Sequence, residues 1–183
     1  GSSAAVSDLD AALCESAAAE IRAAGGRALA VPGDVTDSSF APRAAAAALG
    51  EFGSVTVLVN NAGYTADKML HNMTDAQFDA MYEVHVRAAF RLIRALAPHF
   101  RDRSRPPRRR CILNVSSTSG VHGNVGQANY AAAKAAVVGL TRTVAKEWGR
   151  FNVRCNCVAF GMIRTRLTGP KEAGEAMEAA DGG

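Results

Sequence analysis

The sequence predicts an α/β domain in which a doubly wound parallel sheet carries helices on both faces. Three observations lead there. Short apolar runs rich in β-branched residues alternate with longer stretches of helical periodicity, the signature of βαβ units. A chain of 183 residues, 48% hydrophobic and 21% charged, is long enough to bury one core. It shows neither an internal repeat nor a composition shift, so residues 1–183 are expected to form a single domain. The four cysteines include no C-x-x-C pair, which excludes a disulfide-stapled framework and leaves buried, reduced thiols as the reading.

The elements follow in order. Residues 4–7 read as the end of a strand, Asp8 to Asp10 as a turn, and 11–24 as a helix stopped by Gly25-Gly26. An apolar strand at 28–32 precedes a helix at 38–51, whose alanine run 44–48 suits the best helix former. A strand spans 55–59, whose apolar run Val57-Leu58-Val59 reads as fully buried, and a long helix spans 75–99. Strand 111–116, helix 128–149 and strand 153–158 complete the alternation, with Cys155 and Cys157 on one face of the last strand. Beyond Thr168 the pattern fades into Gly, Ala and Glu.

Charge and metal-ligand spacing exclude other classes. The net charge of +4 resides in residues 101–110, which hold six arginines and one aspartate. Without them, 15 basic and 16 acidic residues remain. Because Pro106-Pro107 mark a connector, this is read as a solvated loop rather than a nucleic-acid footprint, which needs basic residues spread along a face. His85 and His99 fall about 21 Å apart along one helix, and no metal site is proposed. No stretch approaches the roughly 20 apolar residues of a membrane span, and no charged-then-apolar leader opens the chain. A soluble, cytoplasmic protein is expected.

The chemistry concentrates in Asn114-Val115-Ser116-Ser117 and Tyr130-Ala131-Ala132-Ala133-Lys134. Four residues apart on a helix, Tyr130 and Lys134 share a face, about 6 Å apart along the axis. A phenol titrates at about 10 in water, and an adjacent ammonium favours the phenolate, so the pair can exchange a proton with an alcohol or ketone oxygen. Ser117 leaves the preceding strand at its carboxyl end, where parallel sheets present ligands, and can hold the same oxygen. Such a site lacks only a hydride donor. Asn60, Asn61 and Gly63 follow another strand and Asp34-Val35 a third, converging on a crevice that suits adenine and ribose. Each alone could be only a turn former. The nearest approach to a phosphate-binding glycine turn, Gly120, Gly123 and Gly126, has the wrong spacing, and these are read as loop glycines.

Together, Asn60-Asn61-Ala62-Gly63, the thirteen-residue step from Ser117 to Tyr130, Tyr130-x-x-x-Lys134, and Asn156-Cys157-Val158-Ala159-Phe160-Gly161 running to Thr165 resemble the short-chain dehydrogenase/reductase family of the classical type. The match spans nearly all of residues 4–168. Gln127-Ala128-Asn129-Tyr130 and Gly139-Leu140-Thr141 are similar to its 3-oxoacyl-acyl-carrier-protein reductase branch.

The resemblance implies a Rossmann-like fold and a nicotinamide cofactor that passes hydride directly to or from the substrate carbon. Tyr130 becomes the acid/base, Lys134 lowers its pKa and bonds the nicotinamide ribose, and Ser117 orients the substrate oxygen, with Gln127 also at the substrate. Asp34, Val35, Asn60, Ala62 and Gly63 border the adenosine half, while Gly161, Ile163 and Thr165 border the nicotinamide. Asp8, at a strand end, can accept both ribose hydroxyls and would repel a 2′-phosphate, which implies NAD(H) in preference to NADP(H). An N-terminal helix role is the alternative for Asp8. His85 stands where the family has a relay Asn, and Phe160 where it commonly has Pro. The long helices and the small residues Ala131, Ala132, Ala133, Ala135 and Ala136 imply a homodimer or homotetramer.

The family's first strand, glycine turn and closing segments have no counterpart in the sequence. In the family's strand order 3-2-1-4-5-6-7, the missing strand leaves its two neighbours with unpaired backbone groups, so the expectation is further chain or a partner there. The leading reading is an oxidoreductase that interconverts a secondary alcohol and a ketone of 3-oxoacyl type. A non-catalytic binding or scaffolding relative is the alternative, and nucleic-acid binding through 101–110 a third.

Overall fold

A computed structural model describes residues 3–104, 109–161 and 163. Every strand pairing in it is parallel. Strands β1 (Ser3–Val6) and β2 (Arg27–Ala30) pair from Ser3 opposite Arg27 to Val6 opposite Ala30. Strands β3 (Val57–Asn60), β4 (Arg110–Ser117) and β5 (Val153–Phe160) form a second set, with Asn60 opposite Asn114 and Ser117 opposite Phe160. Helical crossovers join them: α1 (Ala11–Ala23), α2 (Phe40–Phe52), α3 (Asp75–Tyr82) with α4 (Ala88–Phe100), then α5 (Ser119–His122) and α6 (Ala128–Trp148). This is the expected α/β class, with the expected elements displaced by one or two residues at their ends.

The sheet is in two hydrogen-bonded parts, β1-β2 and β3-β4-β5. On β3, Val57 and Val59 are 56% and 53% exposed, although an apolar run such as Val-Leu-Val normally marks a strand covered on both sides.

Helix ends follow local chemistry. The Asp10 carboxylate accepts from the backbone N–H groups of Ala12 and Leu13 at 2.8 and 3.1 Å, capping α1. Thr74 and Gln77 form a reciprocal capping box on α3. The long helix expected at 75–99 is interrupted by one π-helical turn, Glu83–Arg87. Such turns insert a residue and re-aim the side chains that follow.

The main core joins Ala45 of α2, Ile93, Leu96 and Phe100 of α4, Ile112 of β4, Val144 and Trp148 of α6, and Val153 and Cys155 of β5. Cys14 and Cys155 are buried, Cys111 and Cys157 half-buried, and all four are free thiols. Around the described ends of the 101–110 segment the arginines have named neighbours. Buried Arg110 donates to the Phe100 carbonyl oxygen at 2.8 Å, and the guanidiniums of Arg101, Arg103 and Arg150 lie 5.0–5.1 Å from the Phe151 ring centroid. No helix among the described residues is long and apolar enough to cross a membrane.

Candidate active site

Strand β4 and helix α6 build the site. Ile112, Asn114 and Ser116 alternate along β4 onto the face that α6 covers, and all three are buried. The Asn114 amide donates to Thr141 Oγ1 at 2.8 Å, and its oxygen accepts from Asn60 Nδ2 at 2.7 Å. Ser116 Oγ donates to the carbonyl oxygen of Lys134 at 2.8 Å. A Cβ on Gly120 would lie 2.8 Å from the Lys134 backbone, so glycine is what lets α5 approach α6 there. These contacts hold the α6 backbone at a set height above the end of β4.

The Lys134 ammonium donates to the Val115 carbonyl oxygen at 2.8 Å and lies 5.5 Å from the centroid of the Tyr130 ring. Tyr130 is buried in a cluster with Met81, Val84, Val86, Ala133 and Val137, and the Ser117 side chain is near enough to influence its phenol. The three side chains are thus neighbours, but the expected electrostatics is reversed. Burial is the dominant influence on Tyr130 and raises its pKa above 10.0; the Ser117 hydroxyl opposes it and the Asp67 charge adds to it. The lysine yields instead. Burial lowers Lys134 from 10.5 to about 8, with Cys157 acting in the opposite sense.

His85 emerges from the π-turn and meets Tyr130 edge to face, with ring centroids 5.2 Å apart and planes at 82°. Its Nε2 lies 2.9 Å from the Tyr64 carbonyl oxygen, so a neutral imidazole carries its proton there and Nδ1 is left as an acceptor. Nδ1 is buried without a partner. It lies against Gly63, where an added Cβ would come within 2.1–2.5 Å of His85 Cε1 and Nδ1. Burial, then the Lys134 charge, lower the His85 pKa from 6.5 to about 4. Both ring nitrogens face protein, Nε2 the Tyr64 carbonyl oxygen and Nδ1 the Gly63 backbone.

Gln127 Nε2 donates to the Asp67 carboxylate at 3.1–3.2 Å and its Oε1 accepts from Asn124, so both ends of the amide tie loops together. Asn129, which the sequence reading did not single out, donates to the carbonyl oxygens of Ala66 and Gln77, each at 3.1 Å. Its own oxygen accepts from the Tyr130 backbone N–H at 2.7 Å. The positioning roles of Asn114, Ser116 and Asn129 were not read from the sequence because their partners are remote along the chain. A polar residue on the buried parity of a strand, as at Asn114 and Ser116, was the available signal.

The residues expected at a dinucleotide sit at or beyond strand ends. Asp8 follows β1, where its carboxylate accepts from the Asp10 N–H and its carbonyl oxygen from Gly33 N–H, both at 3.0 Å. Asp34 follows β2 and accepts from Thr36 N and Oγ1 at 2.7 Å, while Val35 packs against the Tyr130 cluster. Asn60 closes β3, with Ala62 and Gly63 beyond it. Gly161 and Ile163 follow β5, whose end is stitched to β4 by Thr118 N–H donating to the Phe160 carbonyl oxygen at 2.9 Å. Thr165 lies outside the described residues. Asn60 Oδ1 is buried with no protein donor, an orphaned acceptor at the position expected to border a cofactor ribose. That orphaned acceptor fits a hydroxyl on the adenosine side of such a cofactor. Among the described residues no group of three or more His, Cys, Asp and Glu side chains is placed to hold a metal ion.

A family model described as short chain dehydrogenase matches residues 1–176. Hydroxyacyl-CoA dehydrogenase ChsB1 of Mycobacterium tuberculosis is 41% identical over 149 residues, 79% of this chain and 46% of its own length. The 3-oxoacyl-[acyl-carrier-protein] reductase FabG of Thermotoga maritima is 39% identical over 135 residues, 74% of this chain and 53% of its own. A crystal structure of a short chain dehydrogenase from Mycobacterium avium superposes with a TM-score of 0.81 at 36% identity, covering 90% of this chain and 60% of that one. The chain spans about half the length of these two curated relatives.

Proposed function

Because the chain belongs to the short-chain dehydrogenase family, we propose that it is the catalytic part of a nicotinamide-dependent oxidoreductase interconverting a secondary alcohol and a ketone. We take the substrate to be a 3-oxoacyl or 3-hydroxyacyl thioester. The observation that carries the reading is the placement of Tyr130 beside Ser117 at the end of β4, with the buried Lys134 ammonium 5.5 Å from the Tyr130 ring centroid.

In the reduction direction the Tyr130 phenol, kept protonated by burial, donates its proton to the substrate oxygen while the Ser117 hydroxyl holds that oxygen in place. Lys134, charged below about 8, stabilises the phenolate left behind. Oxidation runs the same proton path in reverse. The bound nicotinamide supplies or accepts the hydride. Asn60, Ala62, Gly63, Asp34 and Val35 would hold its adenosine half, Lys134, Gly161 and Ile163 its nicotinamide half, and the Asp8 carboxylate favours NAD(H) over NADP(H).

The protein is taken to be cytoplasmic and a homodimer or homotetramer. In support of an oligomer, Ala132, Ala135 and Gly139 lie on the exposed side of α6, and Phe78, Tyr82 and Phe90 are exposed along α3 and α4. The test is titration of the full-length protein with NADH and NADPH, followed by turnover of a 3-oxoacyl thioester. Saturable NADH binding with turnover supports the reading. Absence of nucleotide binding contradicts it and favours the scaffolding alternative.

A further inference from the structure

Cationic side chains from three segments gather at the end of the sheet where β4 and β5 begin. Arg101 and Arg103 follow α4, Lys146 lies in the last turn of α6 with Arg150 just beyond it, and Arg110 opens β4. We infer that Arg101, Arg103, Lys146 and Arg150 form an anion site for an oligophosphate group, such as a nucleoside di- or triphosphate or free tripolyphosphate carries. The site is remote from the reacting hydroxyls. Seven strand steps separate Arg110 from Ser117, about 23 Å, and sixteen helical steps separate Lys146 from Tyr130, about 24 Å. It stands independently of the oxidoreductase reading.

The first observation is charge without compensation. The guanidiniums of Arg101, Arg103 and Arg150 lie 5.0–5.1 Å from the centroid of one ring, that of Phe151. Like charges held this close repel unless an anion joins them. Every ion pair among the described residues lies elsewhere, on Glu15, Glu51 and Glu83. Asp102 accepts from Ser104 N–H and Oγ at 2.9 and 2.7 Å, and Glu147 borders the arginines without pairing with them. Arg110 adds a further cation: it is 5% exposed, and its guanidinium donates to the carbonyl oxygen of Phe100, next to Arg101. A guanidinium keeps its charge at every working pH, and a buried charge without a counter-ion is costly.

Shape is the second observation. A cavity of about 420 Å³ opens here, lined by Arg101, Lys146, Glu147, Trp148, Arg150 and Phe151. That volume suits a small ligand, whereas a nucleic-acid duplex needs cations spread along a face. Stacking on Phe151 occupies the flat faces of the guanidiniums and leaves their in-plane N–H groups for phosphate oxygens. Helix polarity accounts for Lys146 and Arg150, since cations complement the C-terminal end of α6. Arg101 and Arg103 come from a different segment, and a shared anion accounts for all four.

Calorimetry of the full-length protein with sodium tripolyphosphate and with ATP tests this, at an ionic strength held constant with sodium chloride. Saturable binding is expected, weakened roughly tenfold in Arg103→Ala and in Arg150→Ala and unchanged in Arg22→Ala on α1. Arg103 and Arg150 are exposed, so folding is preserved, and matching thermal melts verify this. Tighter binding of ATP than of tripolyphosphate makes a nucleoside part of the ligand, and equal affinities confine it to the phosphate chain. Absence of saturable binding at constant ionic strength overturns the inference. Affinity unaltered in both arginine variants also overturns it and assigns ATP to the cofactor crevice. Poly-L-glutamate bound as tightly as tripolyphosphate overturns it in favour of an acidic protein partner.

Discussion

The Lys134 ammonium lies over the Tyr130 ring, 5.5 Å from its centroid. Between them the lysine is the group that titrates near neutrality, since burial brings it down to about 8 while it raises the phenol. Charge on Lys134 is present below about 8 and lost above it. The rate of reduction is therefore expected to be highest below pH 8 and to fall as pH rises through that value. Lys134→Arg, whose guanidinium stays charged, should lower the rate but abolish the descending limb. A pH–rate profile checks this, and an unaltered limb in the arginine variant assigns the titration elsewhere.

His85 makes stability sensitive to acid. Its folded value of about 4 lies below the ordinary 6.5, so between these values the unfolded chain binds the proton and the folded chain does not. Stability present above pH 6.5 is lost as pH falls towards 4. At 1.36 kcal/mol for each tenfold change in proton affinity, the loss from this group amounts to roughly 3 kcal/mol. Urea unfolding at pH 7 and pH 4.5 should show it in the wild type, and a clearly smaller difference in His85→Asn.

Gly63→Ala tests the contact on the other side of that ring. The new Cβ would fall 2.1 Å from His85 Cε1, so the ring or the strand end has to move. A loss of about 1–3 kcal/mol in stability is expected, together with weakened nucleotide binding. Removing the ring in the double variant Gly63→Ala, His85→Asn should recover part of the stability.

Asn114 links three elements, with Asn60 on β3 and Thr141 on α6 both bonded to its amide. Asn114→Leu leaves Asn60 Nδ2 without its acceptor, while Thr141 keeps its hydrogen bond to the Val137 carbonyl oxygen, for an expected cost of about 1–3 kcal/mol in denaturant unfolding. Because Asn60 also borders the expected cofactor crevice, NADH affinity should fall in the same variant.

How far the sequence was legible follows from where each signal resides. Strand and helix patterns are local, and so Ala128–Trp148 and Arg110–Ser117 were expected almost to the residue. Tyr130, Lys134 and Ser117 were legible because spacing along one helix and one strand end determines their meeting. The π-turn that presents His85 was not legible, since nothing in Glu83-Val84-His85-Val86-Arg87 differs from ordinary helix periodicity. The roles of Asn114 and Gln127 depend on partners 54 and 60 residues away, at Asn60 and Asp67. The direction of the Tyr130 shift depends on burial, which spacing does not report.

The most direct test of the account compares Tyr130→Phe with wild type in the full-length protein, measuring turnover of a 3-oxoacyl thioester with NADH alongside NADH affinity and thermal stability. The account predicts a fall in turnover of about 10²–10⁴-fold with affinity and melting temperature nearly unchanged. Turnover equal to that of the wild type would contradict it.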